Sequence, residues 1–182
     1  MMKFNPFPEL NSENLVLRKI IDSDFQTILY LRSDKIINEF IERPEHRKTK
    51  TIEDAKKFIQ QINENLETNK SIAWGISLKD DSKIIGTICL WNFSQDNKTA
   101  EVGYDLNPNF QEKGIMSESL KSVLEYGFKT LNLDLIEAFT HEKNENSKIL
   151  LEKNNFKLVL GKKDQDNLNN LVYEIKNPIL NK

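Results

Sequence analysis

Apolar residues near the start of the chain are spaced first as in a strand and then as in a helix. Residues 15–20 read LVLRKI, an apolar and β-branched composition that favours a strand. Asp22 follows at the position expected of an N-cap, and Phe25, Ile28 and Leu29 continue with helical spacing. The pattern predicts a first strand that leads directly into a first helix.

The polar segment 34–50 separates this helix from a second one. Thr51 and Asp54 have the spacing of a capping box, in which each side chain accepts a hydrogen bond from the other residue's backbone. After them, apolar residues recur on one helical face: Ile52, Ala55, Phe58, Ile59, Ile62 and Leu66. A second helix is therefore predicted directly after Thr51.

Three apolar runs then follow at close intervals. They cover residues 71–78, 84–93 and 99–106, and the polar turns 79–83 and 94–98 join them. Turns of this length and composition connect neighbouring antiparallel strands. The three runs are predicted to form an antiparallel meander.

The C-terminal half alternates helices with strands. A helix is predicted to begin near Gly114 and a strand to cover 133–141, after which Asn144 opens a short helix and two strands cover 156–160 and 168–175. A strand, helix, strand order requires a crossover and parallel pairing. We therefore expect an α+β (mixed α/β) domain with one twisted mixed sheet and helices on both of its faces.

Composition narrows the classes of partner. The 182 residues include 26 basic and 28 acidic side chains, and a net charge of -2 favours neither nucleic acid nor a membrane surface. No apolar stretch approaches the roughly 20 residues that span a bilayer, and no repeat or linker divides the chain, so we expect a single domain over residues 1–182. One cysteine, Cys89, and two histidines are too few for an internal disulfide or a common zinc site. These counts suggest a cytoplasmic protein without a metal, and they leave the choice between monomer and homodimer open.

The segment 104–118 carries the clearest chemical signal. It reads YDLNPNFQEKGIMSE, where a predicted strand ends, a loop turns and a helix starts. The first amides of a helix lack partners and carry partial positive charge, so they can hold a pyrophosphate, and Gly114 would let the backbone approach it closely. Taken alone, such a junction is better explained as an ordinary turn, because strand–loop–helix junctions with one glycine are common. The nucleotide-triphosphatase loop and the dinucleotide-binding fingerprint both fail, because the glycines and the Gly-Lys-Ser/Thr that they need are absent.

Two flanking regions make the junction more specific. Residues 100–104 read AEVGY before it, and residues 144–147 and 151–156 read NENS and LEKNNF after it. In order and spacing these motifs resemble the GNAT superfamily of N-acetyltransferases, most closely its RimJ/RimL-like branch. The resemblance implies transfer of an acetyl group from acetyl-CoA to a primary amine, on a sheet of about seven strands that splays between strands four and five. Two positions depart from the branch pattern: Met116 replaces a small residue at the end of the loop, and Asn155 replaces a glycine before the final phenylalanine.

The same resemblance implies a binding site for acetyl-CoA. Its pantetheine arm is expected to hydrogen-bond to the strand backbone, its pyrophosphate to bind the loop amides, and Asn144 to cap its helix and contact pantetheine. The residues expected to bind the cofactor are Tyr104, Asp105, Leu106, Gln111, Glu112, Lys113, Gly114, Ile115, Met116, Ser117 and Asn144.

Two residues are candidates for proton transfer. Glu101 stands near the place where the superfamily often keeps a general-base glutamate, although an exposed strand carboxylate would show the same pattern. Many members protonate the leaving thiolate with a tyrosine, but Leu151 occupies that place here, and Ser147 becomes the candidate donor; the alternative is a first-turn serine without a catalytic role. For Cys89 a buried structural thiol is favoured over an acyl-cysteine route, because no histidine lies near it in sequence.

The acceptor is the least determined part of the prediction. The resemblance favours a protein or peptide N-terminal α-amine, acetylated by direct attack in a ternary complex. A small amine such as a polyamine or an aminoglycoside remains an alternative, because the expected pocket segments, 31–47 and 161–168, carry mixed charge. A third interpretation, a non-catalytic acyl-CoA-binding module, is kept open by Met116 and by the missing tyrosine.

Overall fold

The computed structural model of the chain describes residues 4–178, which contain one mixed β-sheet. The sheet has eight strands in the order β1-β2-β3-β4-β5-β6-β8-β7, and all neighbours are antiparallel except β5 and β6. The strands are β1 Leu10–Asn11, β2 Leu15–Lys19, β3 Ile72–Leu78, β4 Ile84–Trp91, β5 Thr99–Leu106, β6 Leu135–His141, β7 Lys157–Leu158 and β8 Asn170–Lys176. The predicted meander is β3, β4 and β5.

Four α-helices accompany the sheet in the described part of the chain. They are α1 Phe25–Ser33, α2 Ile52–Glu67, α3 Ile115–Glu125 and α4 Glu145–Lys153. A π-helical turn, Tyr126–Thr130, extends α3, and short 3-10 turns cover Asp22–Asp24, Glu45–Arg47 and Pro108–Phe110. Each predicted helix is present within one to three residues of its expected position.

The two predicted helix starts near the N-terminus have different outcomes. The capping box of α2 is confirmed, because Asp54 N–H donates to Thr51 Oγ1 at 3.1 Å and Thr51 N–H donates to the Asp54 carboxylate at 3.0 Å. The prediction of Asp22 as an N-cap is wrong. A 3-10 turn precedes α1, and it is Asp24 whose carboxylate accepts from Ile21 N–H at 2.9 Å while it also pairs with Arg18 at 2.8 Å. The ion pair with Arg18 on β2 therefore explains why Asp24, and not Asp22, accepts the hydrogen bond at the start of α1.

Apolar side chains cover both faces of the sheet. Helices α3 and α4 pack on one face, where Trp74 of β3 and Leu151 of α4 are both fully buried. Helices α1 and α2 pack on the other, around Ile28, Ile59 and Ile84. Helices on both faces of a mixed sheet confirm the predicted fold class.

The sheet opens between its two parallel strands. β5 pairs with β6 only at Thr99, Ala100 and Glu101. Beyond Glu101, β5 continues to Leu106 against β4 alone, while β6 continues against β8 alone. This separation is the predicted splay, and it lies at the carboxyl ends of both strands.

The strand count differs from the sequence expectation by one. The additional strand, β1, has only two residues, Leu10 and Asn11, which pair with β2. Two residues are too few to show the alternating pattern from which strands are predicted. Within residues 4–178, no helix is long and apolar enough to cross a bilayer, and no group of three or more acidic, histidine or cysteine side chains could hold a metal ion.

Candidate active site

The loop between β5 and α3 turns by means of two residues in the left-handed region. Glu112 has φ 60° and Gly114 has φ 79°, and Gly114 occupies the N-cap position of α3 without a side chain to cap the helix. Consequently, in the described part of the chain no protein acceptor lies within hydrogen-bonding distance of the N–H groups at positions 115–117. Because the loop 107–114 joins the end of β5 to Ile115, the positively polarised end of α3 follows the carboxyl end of β5, which has already separated from β6.

Side chains of this loop fold back onto the protein. Met116 is only 8% exposed and packs in the core beneath α3, so its size does not fill the space in front of the amides. Gln111 Nε2 donates to Leu106 O at 3.1 Å, and Lys113 Nζ donates to Asn109 O at 2.8 Å. The loop therefore presents backbone N–H groups, with the side chains drawn aside.

Helices α3 and α4 are tied together next to this loop. Ser117 Oγ and Asn154 Oδ1 lie 3.1 Å apart, and Asn154 Nδ2 donates to Leu150 O at 2.8 Å. Asn155, the second departure from the branch pattern, has φ 67°, a conformation that asparagine tolerates better than most residues. The substitution is thus compatible with the turn that ends α4.

A hydrogen bond connects the two walls of the opening. The Tyr104 hydroxyl on β5 lies 2.8 Å from Ser147 Oγ in the first turn of α4. Asn144 caps this helix, as predicted, because its Oδ1 accepts from Ser147 N–H at 3.1 Å. Leu151, at the place of the missing tyrosine, is fully buried in the core and has no polar group to offer.

Glu101 lies on the opposite face of β5 from Tyr104. Its carboxylate accepts a hydrogen bond from Asn92 Nδ2, and on β6 its register partner is Glu137, which forms an ion pair with Lys162. Burial is the main cause that raises the pKa of Glu101. The negative charges of Glu137, Asp164 and Asp166 raise it further, and the Asn92 hydrogen bond opposes the rise.

Two half-buried arginines, Arg32 and Arg43, lie further along this face. Asp105 accepts hydrogen bonds from Thr87 N–H at 3.0 Å and Thr87 Oγ1 at 2.8 Å. Burial raises the pKa of Asp105, although the Thr87 hydrogen bonds and the charge of Arg43 lower it. Arg32 stacks on Phe58 at 3.7 Å, and burial, aided by the charge of Arg43, lowers its pKa to about 10. The charge on this face is therefore mixed, with carboxylates nearest the opening.

The buried thiol on this face has no sign of activation. Cys89 pairs with Gly103 across β4 and β5, and burial raises the pKa of its thiol to about 12. A nucleophilic cysteine requires a lowered pKa. The structural interpretation of Cys89 is therefore the one that its environment supports.

The structure thus sorts the residues singled out from the sequence into three positions around one opening. The loop amides lie at its end, Tyr104 and Ser147 on its α3/α4 face, and Glu101 and Asp105 on its α1/α2 face. Sequence reasoning used only the backbone of Tyr104 and missed its hydroxyl. The alternation of β5 was the available signal, because Tyr104 is three residues from Glu101 and must face the other way.

Comparison with known proteins identifies the class to which this arrangement belongs. The family model described as "Acetyltransferase (GNAT) domain" matches residues 14–157, a range that includes the loop, Glu101 and Ser147. The chain belongs to the GNAT acetyltransferase family. It is an acyltransferase of the GNAT type.

Individual relatives agree with this assignment. The chain is 34% identical over 152 residues to the uncharacterized N-acetyltransferase YoaA of Bacillus subtilis, covering 82% of this chain and 83% of that protein. Its fold is similar to the crystal structure of the ribosomal-protein-S5-alanine acetyltransferase from Vibrio fischeri, with a TM-score of 0.79 and 25% identity over 94% of this chain and 97% of that one. It is also similar in fold to RimL, a ribosomal L7/L12 α-N-protein acetyltransferase solved with coenzyme A, with a TM-score of 0.77 and 19% identity over 93% and 98% of the two chains.

Proposed function

We propose that the protein transfers an acetyl group from acetyl-CoA to the α-amine of a protein or peptide N-terminus, by direct attack in a ternary complex. The observation that carries this proposal is the uncapped N-terminus of α3 at the opening between β5 and β6. Two structures of similar fold, both ribosomal-protein acetyltransferases by name, support the acceptor class, and one of them contains coenzyme A.

Acetyl-CoA fits this opening through backbone groups. Beyond Glu101 the edge of β5 has no strand partner, so the pantetheine amides can pair with the backbone at Tyr104, Asp105 and Leu106 as an added strand would. The pyrophosphate then reaches the amides of residues 112–117, where the helix dipole favours its charge, while the Gln111 N–H is already donated to Pro108 O at 3.1 Å. No phosphate-binding arginine is required.

In this proposal the amine acts on one face of β5 and the sulfur leaves toward the other. The amine attacks the thioester carbonyl from the α1/α2 face, where Glu101 accepts the proton that the nitrogen loses, directly or through water. The carbon–sulfur bond breaks, and the sulfur leaves with the bonding pair toward Ser147 on the α3/α4 face. An α-amine with a pKa near 7.8 costs only about 1.1 kcal/mol to deprotonate at pH 7, against about 4.6 kcal/mol for a lysine.

The charge near Glu101 supports an amine as the acceptor. Glu137, Asp164 and Asp166 act electrostatically on Glu101, and their negative potential stabilises the positive charge that the nitrogen carries after the neutral amine has attacked the thioester. Because the pKa of Glu101 is raised, the carboxylate is a better base than an exposed glutamate.

A panel of acceptors tests the proposal directly. Release of free thiol from acetyl-CoA is measured with peptides that have free N-termini, with the same peptides blocked at the N-terminus, and with polyamines and aminoglycosides. We expect turnover with the free peptides and loss of turnover when only the α-amine is blocked. Turnover confined to small amines would replace the N-terminal assignment, and tight binding of acetyl-CoA without turnover on any amine would indicate a non-catalytic module.

The pH profile of Glu101→Gln checks the base. In the wild type, log kcat/KM should rise with slope two below the pKa of Glu101, because both Glu101 and the amine must lose a proton, and with slope one from there to the pKa of the amine. The break should lie above the ordinary glutamate pKa, since burial raises that of Glu101. Glu101→Gln should leave slope one throughout and lower kcat/KM at pH 7 by about 10-fold, because the amine is already partly neutral. A variant that keeps slope two would remove Glu101 from the mechanism.

Substitution of Gly114 checks the loop. Gly114→Ala places a side chain at φ 79°, and although nothing lies within 4 Å of the new methyl group, the left-handed backbone becomes strained by about 1 kcal/mol. In the free protein the loop can move and so relieve this strain. Binding of acetyl-CoA requires the original loop conformation and restores the strain, so the Kd of acetyl-CoA should rise by about 5-fold. Gly161→Ala is the matched control, because Gly161 has φ 82° and equal space but belongs to the turn after β7 and not to the loop 107–114. Equal acetyl-CoA affinity in both variants and the wild type would argue against pyrophosphate binding here.

A further inference from the structure

The hydroxyl of Ser147 differs in its partner from those of Ser119 and Ser122, and resembles that of Ser117, which also contacts a side chain outside its own helix. Ser119 Oγ and Ser122 Oγ donate to carbonyl oxygens one turn back in α3, at 2.9 and 3.3 Å. Ser147 Oγ instead contacts the hydroxyl of Tyr104, on a different wall of the opening and 43 residues away in sequence. Among residues 4–178 the Tyr104 hydroxyl is its only hydrogen-bond partner, so the hydrogen of Ser147 is not used by its own helix.

The relative acidity of the two hydroxyl groups determines which of them donates. Burial raises the pKa of Tyr104 to about 12, so the phenol remains protonated throughout the physiological range. A phenol, with an ordinary pKa near 10, is still a stronger hydrogen-bond donor than an aliphatic alcohol. Tyr104 therefore donates and Ser147 accepts, which leaves the O–H of Ser147 to be donated elsewhere. A hydroxyl that accepts one hydrogen bond becomes a better donor in the next.

The location of the pair directs that second hydrogen bond. Tyr104 lies on β5 beyond the last position paired with β6, and Asn144 fixes the first turn of α4 from the other side. The pair thus joins β5 to the first turn of α4, the helix that follows β6, beside the opening where the thioester of bound acetyl-CoA would lie. Ser147 is only partly buried, so its O–H can be donated to a ligand bound in the opening.

We propose that Tyr104 is a positioning residue that donates to Ser147 and so directs the Ser147 O–H at the sulfur of coenzyme A. The inference rests on the proposed function. No proton leaves Tyr104: the sulfur departs with the electron pair of the carbon–sulfur bond, is stabilised as a thiolate by the Ser147 hydrogen bond, and takes its proton from water. The proton of the amine goes to Glu101, and the reaction is balanced.

The pKa of the thiol in bound coenzyme A tests this arrangement without an acceptor. The ultraviolet absorbance of the thiolate is titrated in the complex, with the complex of desulfo-coenzyme A as the reference for protein absorbance. In the wild type the thiol pKa should lie below its ordinary value of about 8.5. Tyr104→Phe should raise it by about one unit, a 10-fold weaker preference for the thiolate. Ser147→Ala should raise it at least as far, and Tyr104→Phe should add nothing to Ser147→Ala.

Two further variants separate this role from a structural one. Tyr173→Phe is the matched control, because Tyr173 is also buried and donates to the same helix, at Glu152 Oε1, 3.2 Å away. It should leave the thiol pKa unchanged, and Ser147→Thr, which keeps the hydroxyl, should preserve the wild-type value. An unchanged pKa in Tyr104→Phe, or a shift that persists in the Ser147→Ala background, would overturn the inference while the proposed function stands. Failure of the wild type to bind coenzyme A would instead overturn both.

Discussion

Replacement of Ser147 by alanine is expected to lower kcat for acetyl transfer by about 100-fold, the lower end of what one hydrogen-bond donor to a developing negative charge contributes. The leaving thiolate then loses its hydrogen-bond donor in the transition state, and Leu151 cannot substitute because it is buried and apolar. The effect stays at the lower end because a thiolate is a tolerable leaving group without help. Steady-state kinetics with saturating acetyl-CoA measures the change, and the Kd of acetyl-CoA should stay within about twofold.

The control for this variant is Ser122→Ala. Ser122 is also a partly buried helical serine, but its hydroxyl is used by Glu118 O. We expect kcat to be unchanged there. If both variants had the wild-type kcat, Ser147 would be a first-turn serine without a catalytic role.

Gly86→Ala is expected to cost about 2 kcal/mol of stability, within the usual range for overpacking. The methyl group would lie 2.5 Å from Asp105 O and 2.8 Å from Leu106 Cδ1, and a backbone oxygen cannot swing aside as a flexible side chain can. The strain also displaces the part of β5 that is proposed to bind pantetheine. Urea denaturation measures the stability, and the Kd of acetyl-CoA should rise together with the loss.

Gly103→Ala provides the comparison on the partner strand. There the added methyl group would meet Cys89 Sγ at 3.4 Å and Trp91 Nε1 at 3.8 Å, which are ordinary contacts. Its free energy of unfolding should change by no more than about 0.5 kcal/mol. Equal urea midpoints for the two variants would contradict the close packing of β4 against the end of β5.

Elements with a strong local signal were predictable from the sequence. The α2 capping box, the Asn144 cap and the strand β5 follow from residues within a few positions of one another. Two features failed because each depends on a contact between two elements and not on the pattern within one element. Asp24 rather than Asp22 organises the start of α1 because Arg18 pairs with it, and β1 exists because β2 offers it an edge.

The candidate site was predictable for the same reason only in part. The proposed phosphate binding by the loop depends on the backbone geometry around Gly114, which the sequence signals locally. Whether Met116 entered the site depended on the packing of α3, and the structure turns it into the core. The contact of Tyr104 with Ser147 joins a strand to a helix across the opening, and no local pattern encodes it.

The division of roles across β5 follows from strand alternation combined with the separation of β6. Glu101 and Tyr104 point to opposite faces, so one face can receive the amine and the other the leaving sulfur. This arrangement needs the thioester to lie between them. The binding of acetyl-CoA in the opening is therefore the claim on which the remaining roles depend.

Calorimetric titration of the protein with acetyl-CoA tests that claim most directly. The account predicts saturable binding to one site per chain, weakened in Gly114→Ala and unchanged in Gly161→Ala. Absence of saturable binding by the wild type, in the calorimeter and in thermal unfolding alike, would contradict both the enzymatic and the non-catalytic interpretation of the opening.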